Sequence, residues 1–297
     1  MSYAAYETLV APARPSRAPW RLLVGLALGA LLYILLSQMI YSMVAGIMGA
    51  DRYADFAAQA RTDGAPGGVV LQLFSFAAMI LALAVALRLL HHRGIETLLG
   101  PLPETLHGAR RVVLAVVLLS VVISVLPPWG EAALPLRQNL PVQGWASLLP
   151  LGLAGLLIQV TAEEMVFRGY LQSQIAARFS HPGIWMAVPA LVFAAGHYSP
   201  GTHGEDALAM SAWAGLFSLA ASDLTARTGT LGPAIALHFV NNVSALLFIA
   251  LPGPMWGLSL YVIETETSAA PDLWTLMLLE GMVLFVSWLA ARLALRV

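Results

Sequence analysis

Apolar residues run through this chain in long blocks, at 22–49, 69–91, 111–127, 146–168, 184–199, 208–226, 230–251 and 273–294, with polar and Pro- or Gly-rich breaks between them. A helix needs about 20 mostly apolar residues to cross a hydrocarbon core, and these blocks reach or approach that length, the third and fifth being the shortest. The pattern predicts an all-α fold, a polytopic transmembrane helical bundle of about eight spans. The first block is too long for a signal-peptide core and no small-residue cleavage site follows it, so it reads as a retained span. Residues 1–20, interrupted by Pro12, Pro15 and Pro19, read as a flexible cytoplasmic tail, and 21–297 as a single membrane-embedded domain without internal repeats. The Pro-broken stretch 95–107 reads equally well as an amphipathic segment in the headgroup plane or as a plain loop.

Composition supports this reading. The chain is 59% hydrophobic and 10% charged, with mean hydropathy +0.78, against roughly 25% charged in an average soluble domain. A soluble globular domain is excluded. All 15 basic residues are arginine and 16 acids nearly cancel them, so no field is left to grip a nucleic-acid backbone. With no cysteine, disulfides, thiolate nucleophiles and Cys-based zinc sites are excluded, and chemistry falls to His, Glu, Asp, Asn or Ser.

If all eight blocks cross, only Arg52, Arg61 and Arg137 fall on one side and the other arginines on or toward the opposite side. The positive-inside rule then puts both termini in the cytoplasm. The outer side carries Asp51, Asp55, Asp63, Glu131, Glu205, Asp206, Glu264, Glu266 and Asp272. A lysine-free, Arg- and Ala-rich composition is that of a GC-rich bacterium, so the expected location is the bacterial inner membrane.

Ionisable residues within a span cost roughly 2.5–3.5 kcal/mol each on insertion scales, which makes each a functional hypothesis. They concentrate in three places. In Glu163-Glu164-Met165-Val166-Phe167-Arg168, on a helix predicted to run unbroken over 145–178, Glu164 and Arg168 are spaced for an intrahelical ion pair. Glu163 is rotated about 100° away, without a local partner and with its basicity open to tuning by burial. The second place is Phe193-Ala194-Ala195-Gly196-His197, joined to the first helix by the turn Ser180-His181-Pro182-Gly183. An antiparallel hairpin about that turn brings level the positions whose numbers sum to about 360, Glu163 and His197 among them, roughly 20–25 Å from the turn. Pro189 should kink this helix. The third place is His238-Phe239-Val240-Asn241-Asn242, where His238 and Asn242 share one helical face, about 10–15 Å from the cytoplasmic end. Each residue alone reads as interhelical glue, whereas Glu163, His197, His238 and Asn242 converging from three helices are what catalysis requires.

These motifs, in this order on successive apolar helices, resemble the CPBP family of intramembrane proteases, which includes the CAAX prenyl endopeptidases and bacteriocin-processing or self-immunity proteins. The stretches Arg168-Gly169-Tyr170-Leu171 and 228–235 resemble it too, so that the protease-like core covers about 145–250. The resemblance implies an intramembrane endopeptidase acting on a membrane-anchored or lipid-modified, CAAX-type substrate. It implies Glu163 as the base that activates water, His197 as a residue that holds that water, and His238 with Asn242 as the oxyanion site. Glu164, Arg168 and Phe193 would support the site. Glu163, His197 and His238 could form a three-ligand zinc site, but the H-E-x-x-H spacing is absent and a metal-free glutamate mechanism uses every motif residue, so no metal is expected.

Competing readings are a catalytically silent scaffold or self-immunity protein of the same fold, and a proton-coupled transporter. The intact set of four argues against the first, the absence of evident inverted repeats against the second. The segment 198–206, with His203, reads as an exposed loop. His91, His92 and His107 read as interfacial. Glu280 either pairs with an arginine or lines the cavity, and Asp223 has no motif around it.

Overall fold

Prolines set where the membrane helices begin, because the first turn has no use for the missing N–H. The computed structural model describes residues 3–62, 65–126, 134–253, 255–264 and 272–297, the side chains at 61, 62 and 203 apart. Asp63, Glu131 and Glu266 lie outside the described residues. Helix α1 is Pro19–Met48, α2 Ala50–Thr62, α3 Pro66–His91, α4 Leu102–Val125, α5 Val142–Ala176, α6 Pro182–Gly196, α7 Ala207–Thr228, α8 Gly232–Phe248 and α9 Leu273–Leu295. Proline stands in the first turn of α1, α3, α4, α6 and α8. Among the described residues, α1, α3, α4, α5, α9 and the helix that includes α7 are long and apolar enough to cross a membrane. The protein is an all-α polytopic bundle.

The eight apolar blocks each correspond to a helix, with two changes of length. The third is 24 residues long, because the amphipathic residues from 102 onward are helical rather than looped. The 95–107 stretch thereby divides into a tight turn at Ile95–Leu98 and the first turns of α4, with Leu98 and Thr105 buried. The fifth block, α6, has only 15 residues and stops at His197. The polar segment after it coils into helical turns at Pro200–His203 and Gly204–Asp206 before entering α7.

Strand is confined to a small sheet of β1 (Leu136–Gln138), β3 (Tyr261–Ile263) and β2 (Ile249–Ala250) in that spatial order, β1 antiparallel and β2 parallel to β3. It caps the end of the bundle where α5 begins and α8 finishes, tied by Trp145 Nε1 donating to the Leu247 carbonyl.

The chain termini meet at the opposite, basal end. Tyr3 Oη donates to Asp223 at 3.0 Å, Trp288 Nε1 donates to the same carboxylate at 3.0 Å, and Arg227 Nε shares its N–H between both carboxylate oxygens at 2.8 and 2.9 Å. Asp223 therefore joins the N-terminus to α7 and α9. The N-terminal residues are not the flexible tail their prolines predict. Residues 4–16 wind through short helical turns that bury Tyr6, Leu9, Val10 and Ala13. Tyr3 and Tyr6 pack on Trp185 of α6 at centroid distances of 5.5 and 5.0 Å. Gly229, which ends α7 in the left-handed region (φ +67°), lies so close that a Cβ there would stand 2.2 Å from the Ala5 carbonyl oxygen.

Candidate active site

Helices α5 and α8 run antiparallel and face each other along one row of polar residues. Glu163 meets His238 and Gln159 meets Asn242, four residues apart on each helix, so contacts that descend α5 climb α8. Asn242 Nδ2 donates to Gln159 Oε1 at 3.0 Å. His238 Nε2 stands 3.7 Å from Glu163 Oε2, and its Nδ1 lies 2.8 Å from Glu164 Oε1. The same Glu164 oxygen accepts from Arg168 Nη1 at 3.0 Å.

The two glutamates differ as their helical phase requires. Glu164 and Arg168 are fully buried and form the expected i,i+4 pair. Glu164 also takes the Nδ1–H of His238, which fixes the ring and turns Nε2 toward Glu163. Glu163 Oε2 is buried and has no hydrogen-bond partner among the described residues, so its lone pairs are not consumed by structure. Just after the pair, Met165–Gln172 relaxes to π-helix, a widening found often beside functional sites.

Phe193 is the hub that connects α6. Its ring lies 4.9 Å from Phe167, 4.4 Å from His197 and 6.3 Å from His238, and the Arg168 guanidinium carbon sits 4.8 Å from its centroid. Positions 167 and 193 sum to 360, the register expected of the α5–α6 hairpin. His197, at the exposed C-terminal end of α6, donates from Nδ1 to the Phe193 carbonyl at 2.8 Å. It makes no hydrogen bond or ion pair with Glu163, Glu164 or His238; an aromatic ring separates it from them. The structure thus brings Glu163, Glu164, Arg168, His238 and Asn242 together and leaves His197 at their edge.

Glu163, His197 and His238 do not converge as ligands, and among the described residues no three His, Asp or Glu side chains form a cluster able to hold a metal ion.

Two residues escaped the sequence reading. Gln159 had a signal, lying four residues before Glu163 on the same face of α5. Phe217, whose ring centroid is 4.6 Å from that of His238, had none, because no ionisable or motif residue of α7 lies beside it in sequence. Elsewhere, His91 is not interfacial but buried, between Ser16, Gln174 and Tyr170. His92 and His107 are exposed. The side chain of His203 lies outside the described residues. Glu280 sits on the exposed face of α9, and among the described residues no ion pair joins it to an arginine.

The carboxylate–histidine–arginine cluster is buried between the helices of a membrane bundle. Residues 145–244 match the family model described as type II CAAX prenyl endopeptidase Rce1-like, which is the CPBP and CAAX-protease family that the motifs resemble. The match begins at Trp145 and ends just past Asn242, so it takes in every residue of the cluster. Searches of curated proteins and of solved structures returned no match.

Proposed function

We propose that the protein is an intramembrane endopeptidase that hydrolyses a peptide bond of a membrane-anchored or lipid-modified peptide, working through Glu163 without a metal. The observation that carries this reading is the 3.7 Å approach of Glu163 Oε2 to His238 Nε2, inside the stretch that matches the family model. One water can hydrogen-bond both atoms from the side.

Charge balance assigns the protons. Two carboxylates share the cluster with one guanidinium, so one additional proton on His238 or Glu163 makes the buried set neutral. With that proton on His238, the imidazolium donates from Nδ1 to Glu164 and offers Nε2–H outward. Glu163 takes a proton from the bound water as the oxygen attacks the scissile carbonyl. The developing oxyanion accepts from His238 Nε2–H and from the Asn242 N–H that Gln159 does not use, and donors fixed in a low-dielectric site stabilise it strongly. Glu163 then passes its proton to the leaving amine, which restores the carboxylate and releases a free acid and an amine. His197 holds water or substrate from the far side of Phe193 through Nε2.

Proteolysis in liposomes tests this, comparing wild type with Glu163→Ala on prenylated and unprenylated membrane-anchored peptides and reading the products by mass spectrometry. Cleavage by wild type that the variant loses is the expected result, and the panel shows whether the lipid is needed. Equal cleavage by Glu163→Ala overturns the base assignment. Activity that is lost on chelation, with stoichiometric zinc in the purified protein, overturns the metal-free mechanism.

A further inference from the structure

The polar row between α5 and α8 ends in an amide donor that no described residue takes up. Asn241 Nδ2 donates to Asn242 Oδ1 at 3.4 Å, and Asn242 Nδ2 donates to Gln159 Oε1 at 3.0 Å. The three amides thus form one directional chain from Asn241 to Gln159, whose Nε2 carries two N–H groups. Turning every amide over would keep the chain and leave Gln159 Oε1 at its end instead. Gln159 lies four residues before Glu163 on one face of α5. The reversed chain therefore sets an acceptor beside a carboxylate, whereas the chain as it stands sets a donor there.

This donor is open to water. Gln159 is 7% exposed, and its Nε2, unlike Glu163 Oε2, is not sealed from solvent. The same holds for Glu163 Oε1 and His238 Nε2, which have no hydrogen-bond partner among the described residues. One carboxylate oxygen, one imidazole nitrogen and one amide nitrogen thus remain unclaimed and reachable along a single row. The oxygen and nitrogen of an amide are about 2.3 Å apart, so Gln159 Nε2 stands at most about 5.3 Å from Asn242 Nδ2, and one oxygen about 2.9 Å from each can accept from both.

We infer that Gln159 is a further catalytic residue, donating through Nε2 to the same tetrahedral oxyanion as Asn242 and His238; the inference rests on the endopeptidase reading above. A trigonal substrate carbonyl has two lone pairs to offer and the tetrahedral oxyanion has three, so the third donor is engaged fully only as charge develops and acts on kcat rather than on KM. Its amide is already held by Asn242, so little reorganisation is needed at that moment. Gln159 then has two duties carried by different atoms, Oε1 fixing Asn242 and Nε2 meeting the substrate.

Gln159→Glu separates these duties, because a carboxylate of the same size keeps an acceptor for Asn242 and lacks the N–H. Turnover of a membrane-anchored peptide by the full chain in detergent is compared for wild type, Glu163→Ala, Gln159→Leu and Gln159→Glu as pH is lowered. The kcat of Gln159→Glu should fall by roughly 10²–10³-fold, the loss for one oxyanion donor, with KM changed severalfold at most and melting within a few degrees of wild type. Relative to wild type, that kcat should rise as pH falls, because the introduced carboxyl offers an O–H once protonated. A ratio that falls with pH overturns the donor role, since the new charge then acts by making Glu163 protonate early. Wild-type kcat in Gln159→Glu beside an impaired Gln159→Leu overturns it too and leaves Gln159 as a support for Asn242. If Gln159→Glu does not fold, Gln159→Leu is placed on an Asn242→Leu background, where an independent donor lowers kcat by a further tenfold or so and a residue acting only through Asn242 adds no loss. Equal cleavage by wild type and Glu163→Ala, or none by wild type, is the failure of the endopeptidase reading itself and takes this inference with it; every other pattern bears on Gln159 alone.

Discussion

Glu163 and Glu164 are adjacent in sequence and opposite in consequence. Glu164 is fully buried and holds both Arg168 and His238, so Glu164→Ala strands a guanidinium in low dielectric. Removing one partner of a buried pair costs about 3–5 kcal/mol, and the variant should accumulate poorly or melt far below wild type in a fluorescence-detected size-exclusion assay. Among the described residues, the buried Oε2 of Glu163 has no hydrogen-bond partner to strand. Glu163→Gln should therefore melt within a few degrees of wild type while turnover falls by roughly 10²–10⁴-fold, the range for a lost general base. A large loss of stability in Glu163→Gln would sink the division of labour. That division was legible beforehand, because a 100° step along a helix separates neighbours whatever the tertiary structure. The second duty of Glu164, orienting His238, was not, since it depends on how α8 turns about its own axis. His197 shows the limit from the other side. Its level along the hairpin could be read from the turn, but its lateral distance from Glu163, with Phe193 between, could not.

At the scale of elements, the α5–α6 register and the long α5 helix follow from one turn signal and continuous apolar periodicity, and the Phe167–Phe193 contact agrees with both. The antiparallel α5–α8 pairing is fixed by the Gln159–Asn242 hydrogen bond one turn from Glu163 and His238. Gln159→Leu removes the acceptor for the Asn242 amide and should lower stability by about 1 kcal/mol, with a larger drop in kcat than in KM as the oxyanion donor loses its support. The N-terminal segment was misread for a physical reason. Its apolar residues are too few and too interrupted by proline to show a helical period, and they find burial one at a time against α6, α5 and the end of α7 rather than along one stripe. Leu9, fully buried, is the decisive position. Leu9→Ala should cost about 2–5 kcal/mol, as in a packed core, whereas in a free tail the substitution changes nothing measurable by thermal unfolding.

At the scale of the whole molecule, the hydrogen bonds of Asp223 to Tyr3 and Trp288 put both chain ends at the basal end of the bundle, while β1–β3 and the acidic residues Asp51 and Asp55 belong to the capped end. That geometry predicts that the two termini share one side of the membrane. The distribution of arginine, by the positive-inside rule, predicts that this side is the cytoplasm. The cysteine-free sequence allows a direct measurement, since any introduced thiol is unique. Asp55 and Glu104 are exposed and lie near opposite ends, Asp55 in α2 and Glu104 in the first turn of α4. In intact spheroplasts a membrane-impermeant maleimide should label Asp55→Cys and spare Glu104→Cys until the membrane is permeabilised. The reverse pattern inverts the molecule and opens the Glu163 cluster toward the other compartment. This one topological result therefore bears on the side from which a substrate must be anchored.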